Sequence, residues 1–393
     1  MITSHLLAGK KIAIVGGGPA GLMAARLLQV AGYPTTVYER DHDATARQLG
    51  GTLDIHQGSG QQALEKAGLL QEFYALAQPV PTRMANHQGQ VLFEMQPDPA
   101  DRYERPEIDR PDFRNLLLGS LAADTVVWNQ QVTAVAPHGD GFELHFRHGP
   151  SAVADLVIVA DGANSKARQY VTEVPPVHTG TYYVQGEIYQ PRQACPTITA
   201  LVASGNLAAV EARKALFLHS KNNGHLSFYA SFRLPADELA ARLPDCQHYP
   251  AVATFLHELF AGWAAGYHEL FDASDEYRVF PMQAVLLQAP WKPHGTSTLI
   301  GDAAHAMPPF GGHGANMGLI DALNLVENLT NGEFPTMQAA IDAYEQKMFA
   351  YATPVQQGTL AADERIHTQE GNFAERMGQM QQARAADREK KWR

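Results

Sequence analysis

Three turns rich in glycine and acid carry residue types and spacings that can do chemistry. The first is Gly16-Gly17-Gly18-Pro19-Ala20-Gly21, entered from the apolar run Lys11–Val15 and followed by a helix of small residues. In Gly16-x-Gly18-x-x-Gly21, Gly16 permits a tight turn and Gly18 lets a pyrophosphate reach the backbone. Gly21 lets the helix pack on the strand, and the helix N-terminus offers free N–H groups to the anion. A second strand, Thr35–Glu39, ends in an acid 18 residues after Gly21, where a carboxylate can accept hydrogen bonds from a ribose. The second turn, Asp161-Gly162-Ala163-Asn164-Ser165-Lys166-Ala167-Arg168, closes the apolar strand Val153–Ala160. The third runs from Leu299 to Asn316. A strand ends at Ile300, Asp302 follows, Pro308-Pro309 stiffens the chain, and Gly311, Gly312 and Gly314 lead into a helix. Such a loop brings backbone amides against something flat and electron-rich.

These turns need elements to hold them. Residues 10–40 read as βαβ, and helices are expected over Ser59–Leu70 and Asp112–Ala122. Thr125–Trp128, Val132–Val135 and Phe142–Phe146 alternate like a small antiparallel sheet. After Pro175-Pro176 the pattern changes to longer alternating strands, Tyr182–Tyr189 and Leu226–Arg233, with helical stretches near 236–242 and 250–260. The chain returns to the first domain at Thr298–Asp302. Amphipathic helices are expected over Asn316–Asn331 and Thr336–Tyr351, and a polar one over Ala361–Lys391. The implied organisation is 1–177 and 283–355 as one domain, 178–282 as an inserted sheet domain, and 356–393 as a terminal helix.

Composition narrows the function. The 393 residues are 45% hydrophobic, enough for large cores, and the net charge of −11 argues against nucleic acid and anionic membrane surfaces. No apolar run approaches the ~18 residues of a membrane span, and no signal peptide is evident. The two cysteines, Cys195 and Cys246, lack CxxC or zinc spacing, and the histidines converge on no metal. The expectation is a soluble, cytoplasmic, monomeric protein with reduced thiols.

Taken in order, Gly16–Gly21 with Glu39, Asp161–Arg168 and Gly301–Asn316 complete a dinucleotide fingerprint, a DGxxSxxR motif and a GDAAHxxPPxxGxGxN motif. The sequence resembles the group A flavoprotein monooxygenases of the para-hydroxybenzoate hydroxylase fold. The resemblance implies an α/β protein: a Rossmann-type FAD-binding domain, an inserted antiparallel-sheet substrate domain and a C-terminal bridging helix. It implies FAD contacts at Gly16, Gly18, Ala20, Gly21, Glu39, Arg40 and Arg114 on the nucleotide side. On the flavin side it implies Asp54, Asp161, Asp302, Gly312, Gly314, Ala315 and Asn316. Gln185, Phe217, Pro309 and Phe310 would face the substrate. NADPH or NADH would bind without a Rossmann domain of its own. Oxygen would reach the substrate through a flavin C4a-hydroperoxide, with no nucleophilic side chain needed. His305 reads as structural rather than as a general base.

Gly50–Gly60, the Val184-Gln185 region and Gly301–Gly314 are further similar to the tetracycline-inactivating monooxygenases. There, an arginine and a histidine hold the polar edge of the drug, and the matching positions here are Leu207 and Ser227. Their loss removes charge-assisted hydrogen bonds. A polycyclic or tetracycline-like aromatic is the leading expectation. Two alternatives stay open: a small phenolic compound, and a non-catalytic FAD-binding module.

Overall fold

The computed structural model describes residues 6–46, 50–211, 213–235, 238, 242, 244–245, 247–291 and 295–368. Cys246, the helix expected near 236–242 and the chain after 368 lie largely or wholly outside these residues.

The chain opens with strands β1 (Ile12–Val15), β2 (Thr36–Tyr38) and β3 (Thr52–Asp54). Strands β4 (Thr82–Ala85), β5 (Val91–Met95), β6 (Glu107–Asp109) and β7 (Val126–Val127) follow. Then come β8 (Val132–His138), β9 (Gly141–Phe146), β10 (Ala152–Ala154) and β11 (Leu156–Val159). The second half adds β12 (Val177–Ile188), β13 (Asn206–Glu211), β14 (Lys214–Ser220), β15 (Leu226–Arg233), β16 (Glu276–Ala284) and β17 (Ser297–Leu299). The helices that position the site are α1 (Pro19–Val30), α2 (Arg110–Gly119), α3 (Tyr249–Leu259), α4 (Ala265–Ala273), α5 (Asp302–His305), α6 (His313–Thr330) and α7 (Met337–Thr368).

Two sheets organise the molecule. The first is parallel throughout, in the order β17-β11-β1-β2-β7. Its β1 and β11 are buried on both faces, which explains their unbroken apolar sequences. Helix α1 packs on it through Leu22, Met23, Ala25 and Leu28, alongside α6. This is the Rossmann-type domain the glycine turn required. The small antiparallel sheet expected over Thr125–Trp128, Val132–Val135 and Phe142–Phe146 is corrected in one strand: β8 and β9 pair as expected, but the third member is β10, while Val126–Val127 (β7) pairs parallel with β2 at the edge of the first sheet.

The second sheet has seven strands, in the order β16-β12-β15-β14-β13-β4-β5. It corrects two expectations. Strands β4 and β5 fall within 1–177, yet they are hydrogen-bonded into the substrate sheet. Also, β13 and β4 run parallel, because the β4–β5 hairpin joins from the other domain; the remaining pairs are antiparallel. One face of the sheet is covered by α3 and α4 over Val184, Leu207, Leu218, Phe228 and Phe232.

Helix α7 joins the domains. Helices were expected to stop at Tyr351 and restart near Ala361. Instead 32 residues form one helix that passes through Pro354. A proline in a helix interior removes one backbone bond and crowds the preceding turn. Here both flanks are pinned: Tyr344, Met348 and Ala352 are buried in the nucleotide-domain core, and Ile366 is buried against Val210 and Ala215 of the sheet. Gln356, two residues past the proline, is buried in hydrogen bonds with Leu287 N, Val285 O and Ala306 O.

Candidate functional site

The glycine turn shows why each glycine is needed. Gly16 has φ +104°, and a Cβ there would meet Ala160 O at 2.5 Å. At Gly21 a Cβ would lie 2.1 Å from Gly16 O. Nothing lies within 4 Å of a Cβ at Gly18, so this position is open space over the start of α1. No side chain caps that helix, and its first N–H groups face outward. Ala20 lies against Gly301 and Gly318, each placing a Cβ position 3.1 Å from its methyl. Glu39 is buried, and its carboxylate accepts from Gly17 N at 2.5 Å and Asp41 N at 3.0 Å. Arg114 is buried beside it, donating to Ala44 O and Asp41 and lying over Trp128. Arg40 is exposed at the rim.

The second and third turns are tied together by Arg168. Its guanidinium is buried and donates to Ala303 O, Ala163 O, Gly162 O and Asp302 O. Asp161 accepts from Lys166 N through one oxygen, while the other is buried without a partner. Burial lifts its carboxyl above the usual range. Gly301, at φ +61°, turns the chain so that Asp302 opens α5 with its side chain exposed. The nearest Asp302 oxygen is 3.9 Å from a Cβ placed at Gly314. His305 points the other way. It is fully buried, its Nε2 lies 2.7 Å from Asp321, and Asp321 also accepts from Gly301 N and Tyr351. Burial opposes charge on His305, but the Asp321 carboxylate outweighs it and holds the imidazole above its ordinary value. Its side-chain partner is thus a carboxylate.

Gly312 caps α6 in the left-handed region, and no side chain caps this 18-residue helix. Asn316 binds protein groups through its side chain: Oδ1 accepts from His56 N and Ser59, and Nδ2 donates to Asp54 O and Gly312 O. It fastens the 54–60 loop to the glycine loop. Gly314 and Ala315 form the first turn of the same helix. Asp54 bonds Arg105 at 2.5 Å and His56 at 2.9 Å. Burial opposes its ionisation, but those two partners keep its carboxyl below the usual range. A Cβ at Gly312 would strike Asp54, so glycine is obligatory there.

The face of the second sheet turned away from α3 and α4 meets β3, the glycine loop and α7, and is termed the chamber face. Pairing registers place Ala208, Phe217, Tyr229, Gln185 and Arg278 in one row across it. Phe217 meets Phe310 of the Pro-Pro loop edge-on, with centroids 6.0 Å apart, and Pro309 is exposed beside it. This contact brings sheet and glycine loop together. Gln185, Phe217 and Ser227 lie on the chamber face. Leu207 does not: it is buried under the helices with Val202 and Leu218. Side chains alternate along a strand, so the chamber-facing neighbours are Asn206 and Ala208, one residue to either side.

Sequence reading missed several chamber residues. Thr52 and Glu107 stand on the β3–β6 hairpin, and His219 on β14. Glu107 accepts from Thr52 and from Asn206. An acid inside the alternating Glu107-Ile108-Asp109 run was the available signal. At the other end, Ser231 Oγ lies 2.6 Å from His367 Nε2, and His367 Nδ1 lies 2.9 Å from Asp363. This Ser–His–Asp chain was not visible in sequence, where no such signature stood out. All three side chains are buried between α7, which carries His367 and Asp363, and the sheet, and Thr181 and Arg233 also hold Asp363, so the chain clasps helix to sheet. Among the described residues no three His, Cys, Asp or Glu side chains are grouped to hold a metal, and no helix is long and apolar enough to cross a membrane.

A family described as the FAD binding domain matches residues 10–359. The monooxygenase penA of Penicillium thymicola is 31% identical, over 87% of this chain and 90% of its own. Among solved structures, 2,6-dihydroxypyridine-3-hydroxylase from Arthrobacter nicotinovorans superposes with a TM-score of 0.77 at 19% identity, covering 93% and 95% of the two chains. The tetracycline destructase Tet(51) superposes at 0.72 and 21%, covering 93% and 94%. The destructase is thus no nearer in shape than the dihydroxypyridine hydroxylase.

Proposed function

Because the chain belongs to the FAD binding domain family and is an FAD-dependent monooxygenase, we propose that it hydroxylates an aromatic substrate held between the second sheet and the glycine loop, with NADPH or NADH as reductant. The observation that carries this reading is the Phe217–Phe310 contact, which sets an aromatic floor against the loop expected to carry the flavin ring. The residues present fit FAD. Gly18 leaves open space where a Cβ would stand, α1 and α6 begin without side-chain caps, and Asp161 keeps a buried oxygen without a partner.

Bound FAD would supply the redox chemistry, taking hydride from the nicotinamide, activating dioxygen and passing one oxygen atom to the substrate. The chain supplies binding, orientation and exclusion of water. Gly16, Gly18, Ala20 and Gly21 with the α1 N-terminus hold the pyrophosphate, and Glu39, steadied by Arg114 and flanked by Arg40, receives the ribose. Asp302 accepts from the ribityl chain. Backbone N–H groups of Gly312, Gly314, Ala315 and Asn316, at the positive end of α6, favour negative charge on the reduced ring. Asp54 and Asp161 would help hold the flavin end of the cofactor. Pro308, Pro309 and Phe310 keep water from the reacting atoms. Gln185 orients the substrate over Phe217.

A ring system with an apolar extension, including polycyclic compounds, suits the chamber best, because Phe217 and Phe310 stand partly exposed on the buried apolar cluster of Val210, Ala215 and Ile366. Tetracycline is the more demanding polycycle, since no arginine stands at Asn206, Leu207 or Ala208. The test is purification followed by turnover with a panel of hydroxylated one-, two- and four-ring compounds. A yellow protein that couples NADPH or NADH oxidation to a product one oxygen heavier is expected. A colourless protein, or one whose flavin no nicotinamide reduces with any compound, overturns the reading.

A further inference from the structure

The chamber is chemically lopsided. On β14, Ala215 and His219 both face it, four residues or ~13 Å apart at the usual strand rise of roughly 3.3 Å. The Ala215 end is apolar: Val210, Ala215 and Ile366 are packed together, and Phe217 and Phe310 stand partly exposed against them. The His219 end is ionisable. Thr52 Oγ1 donates to Glu107 Oε2 at 2.5 Å, and His219 Nδ1 lies 3.3 Å from the same Thr52 oxygen. A threonine hydroxyl has one proton, and here it goes to Glu107, so His219 Nδ1 must donate to Thr52. Burial keeps the imidazole neutral, which leaves Nε2 as its lone-pair nitrogen. The other Glu107 oxygen accepts from Asn206 Nδ2. Ser227 Oγ, in the same row of the sheet as His219, is buried without a partner, 3.5 Å from a Cβ placed at Gly51. His219, Thr52 and Glu107 each keep part of their surface exposed.

We propose that the substrate lies with a ring hydroxyl or ring N–H toward His219 and its apolar end against Phe217 and Phe310, and that the proton of that group passes through His219 and Thr52 to Glu107. This rests on the aromatic hydroxylation proposed above. In the step, the substrate O–H or N–H bond breaks and its proton binds His219 Nε2. The Nδ1 proton moves to Thr52, and the Thr52 proton moves to Glu107. No electron is exchanged. The electron pair stays on the substrate, where it enriches the ring carbons that an electrophilic oxygen attacks.

The electrostatics support the direction of transfer. Burial, assisted by Arg110 and opposed by Asp54, pushes His219 down to about 4, so it conducts a proton without keeping one. Burial lifts Glu107 to about 7; Asp54 adds to the rise, while Thr52, Asn206 and Arg105 oppose it. The groups facing Glu107 are Thr52 and Asp54 of β3, Arg105 before β6, Asn206 of β13 and, through Thr52, His219 of β14. Arg105 is already engaged with Asp54, so Glu107 can take a proton near neutrality.

The test uses the flavin-loaded protein and 4-cyanophenol, whose phenolate absorbs differently from the phenol. The bound probe should ionise at least one pH unit below the free probe, a tenfold change in its proton affinity. Thr52→Val and Glu107→Gln should return the midpoint to the free value with flavin content unchanged, and Thr52→Ser should restore the shift. For 4-phenylphenol, Phe310→Ala should weaken binding about fivefold while leaving 4-cyanophenol unaffected. A probe that binds un-ionised, or a shift that survives Thr52→Val, overturns the relay alone. A probe that fails to perturb the flavin spectrum overturns the chamber as an aromatic site, and the relay with it.

Discussion

The glycine turn and the chamber floor both face a ligand, but they are built on different principles. The turn is made of backbone: Gly16 and Gly21 lack side chains for short-range steric reasons, and Gly18 leaves open space over the start of α1. The floor is made of side chains drawn from five strands, in which Ala208, Phe217, Tyr229, Gln185 and Arg278 meet only through register. A backbone device tolerates almost no substitution and keeps its sequence signature. A side-chain floor can be rewritten residue by residue on an unchanged scaffold.

Substitutions can break or sharpen this contrast. The largest effect is expected for Gly21→Val. Its Cβ would overlap Gly16 O, so the strand–helix contact must open. The protein should lose its flavin and more than about 3 kcal/mol of stability, read as flavin absorbance per protein and as Tm. Next is a pair that tests the two faces of β13. Leu207→Ala empties a packed position and should cost about 2–5 kcal/mol, with KM unchanged. Ala208→Leu should leave Tm nearly unchanged and raise KM about tenfold. The reverse pattern would mean the register of β13 is wrong.

A smaller effect is expected from pH. Glu107 is lifted from 4.5 to about 7 in the folded protein, so the folded state holds its proton more tightly than the unfolded chain does. Its stabilisation is full below the unfolded value and is lost as pH rises through about 7. Denaturant unfolding of Glu107→Gln should therefore show a flatter pH profile. Allowing for partial solvent contact, the variant should gain on the order of 2 kcal/mol over the parent protein at about pH 8. A profile that stays parallel to the parent's would show that Glu107 ionises normally. The smallest stability effect is expected for Gly18→Ala. The residue has φ −83° and open space around it, so Tm should move by less than about 0.5 kcal/mol equivalent. Flavin dissociation, measured by fluorescence recovery, should nevertheless quicken about tenfold, because the methyl fills the cradle.

The same contrast explains what could be read in advance. The βαβ unit, Glu39, the Arg168 turn and the Gly301–Asn316 loop depend on residues close in sequence, and their spacing carried them. Leu207 failed as a site residue because alternation has a period of two, and one residue of misplacement turns a chamber residue into a core residue. The split of α7 at Tyr351 failed because a proline and a polar tail read as a helix end. Tertiary packing of Met348 on one side and Ile366 on the other overrode that local signal. Strands β4 and β5 fall within 1–177 by sequence, since nothing local shows which sheet an edge hairpin will join.

His305 and His367 show the limit most directly. Both histidines lie within 3 Å of a carboxylate. Sequence spacing flagged only His305, within a motif, whereas the Ser231–His367–Asp363 chain spans 136 residues. Sequence by itself determined the parallel nucleotide-binding sheet and the backbone-built turns, because steric exclusion at a glycine and burial of a β-branched run are local facts. Only the tertiary structure decided which side chains line the chamber, where its ionisable and apolar ends lie and what clasps α7 to the sheet. Those depend on strand register and domain packing, which bring together residues that no local spacing relates.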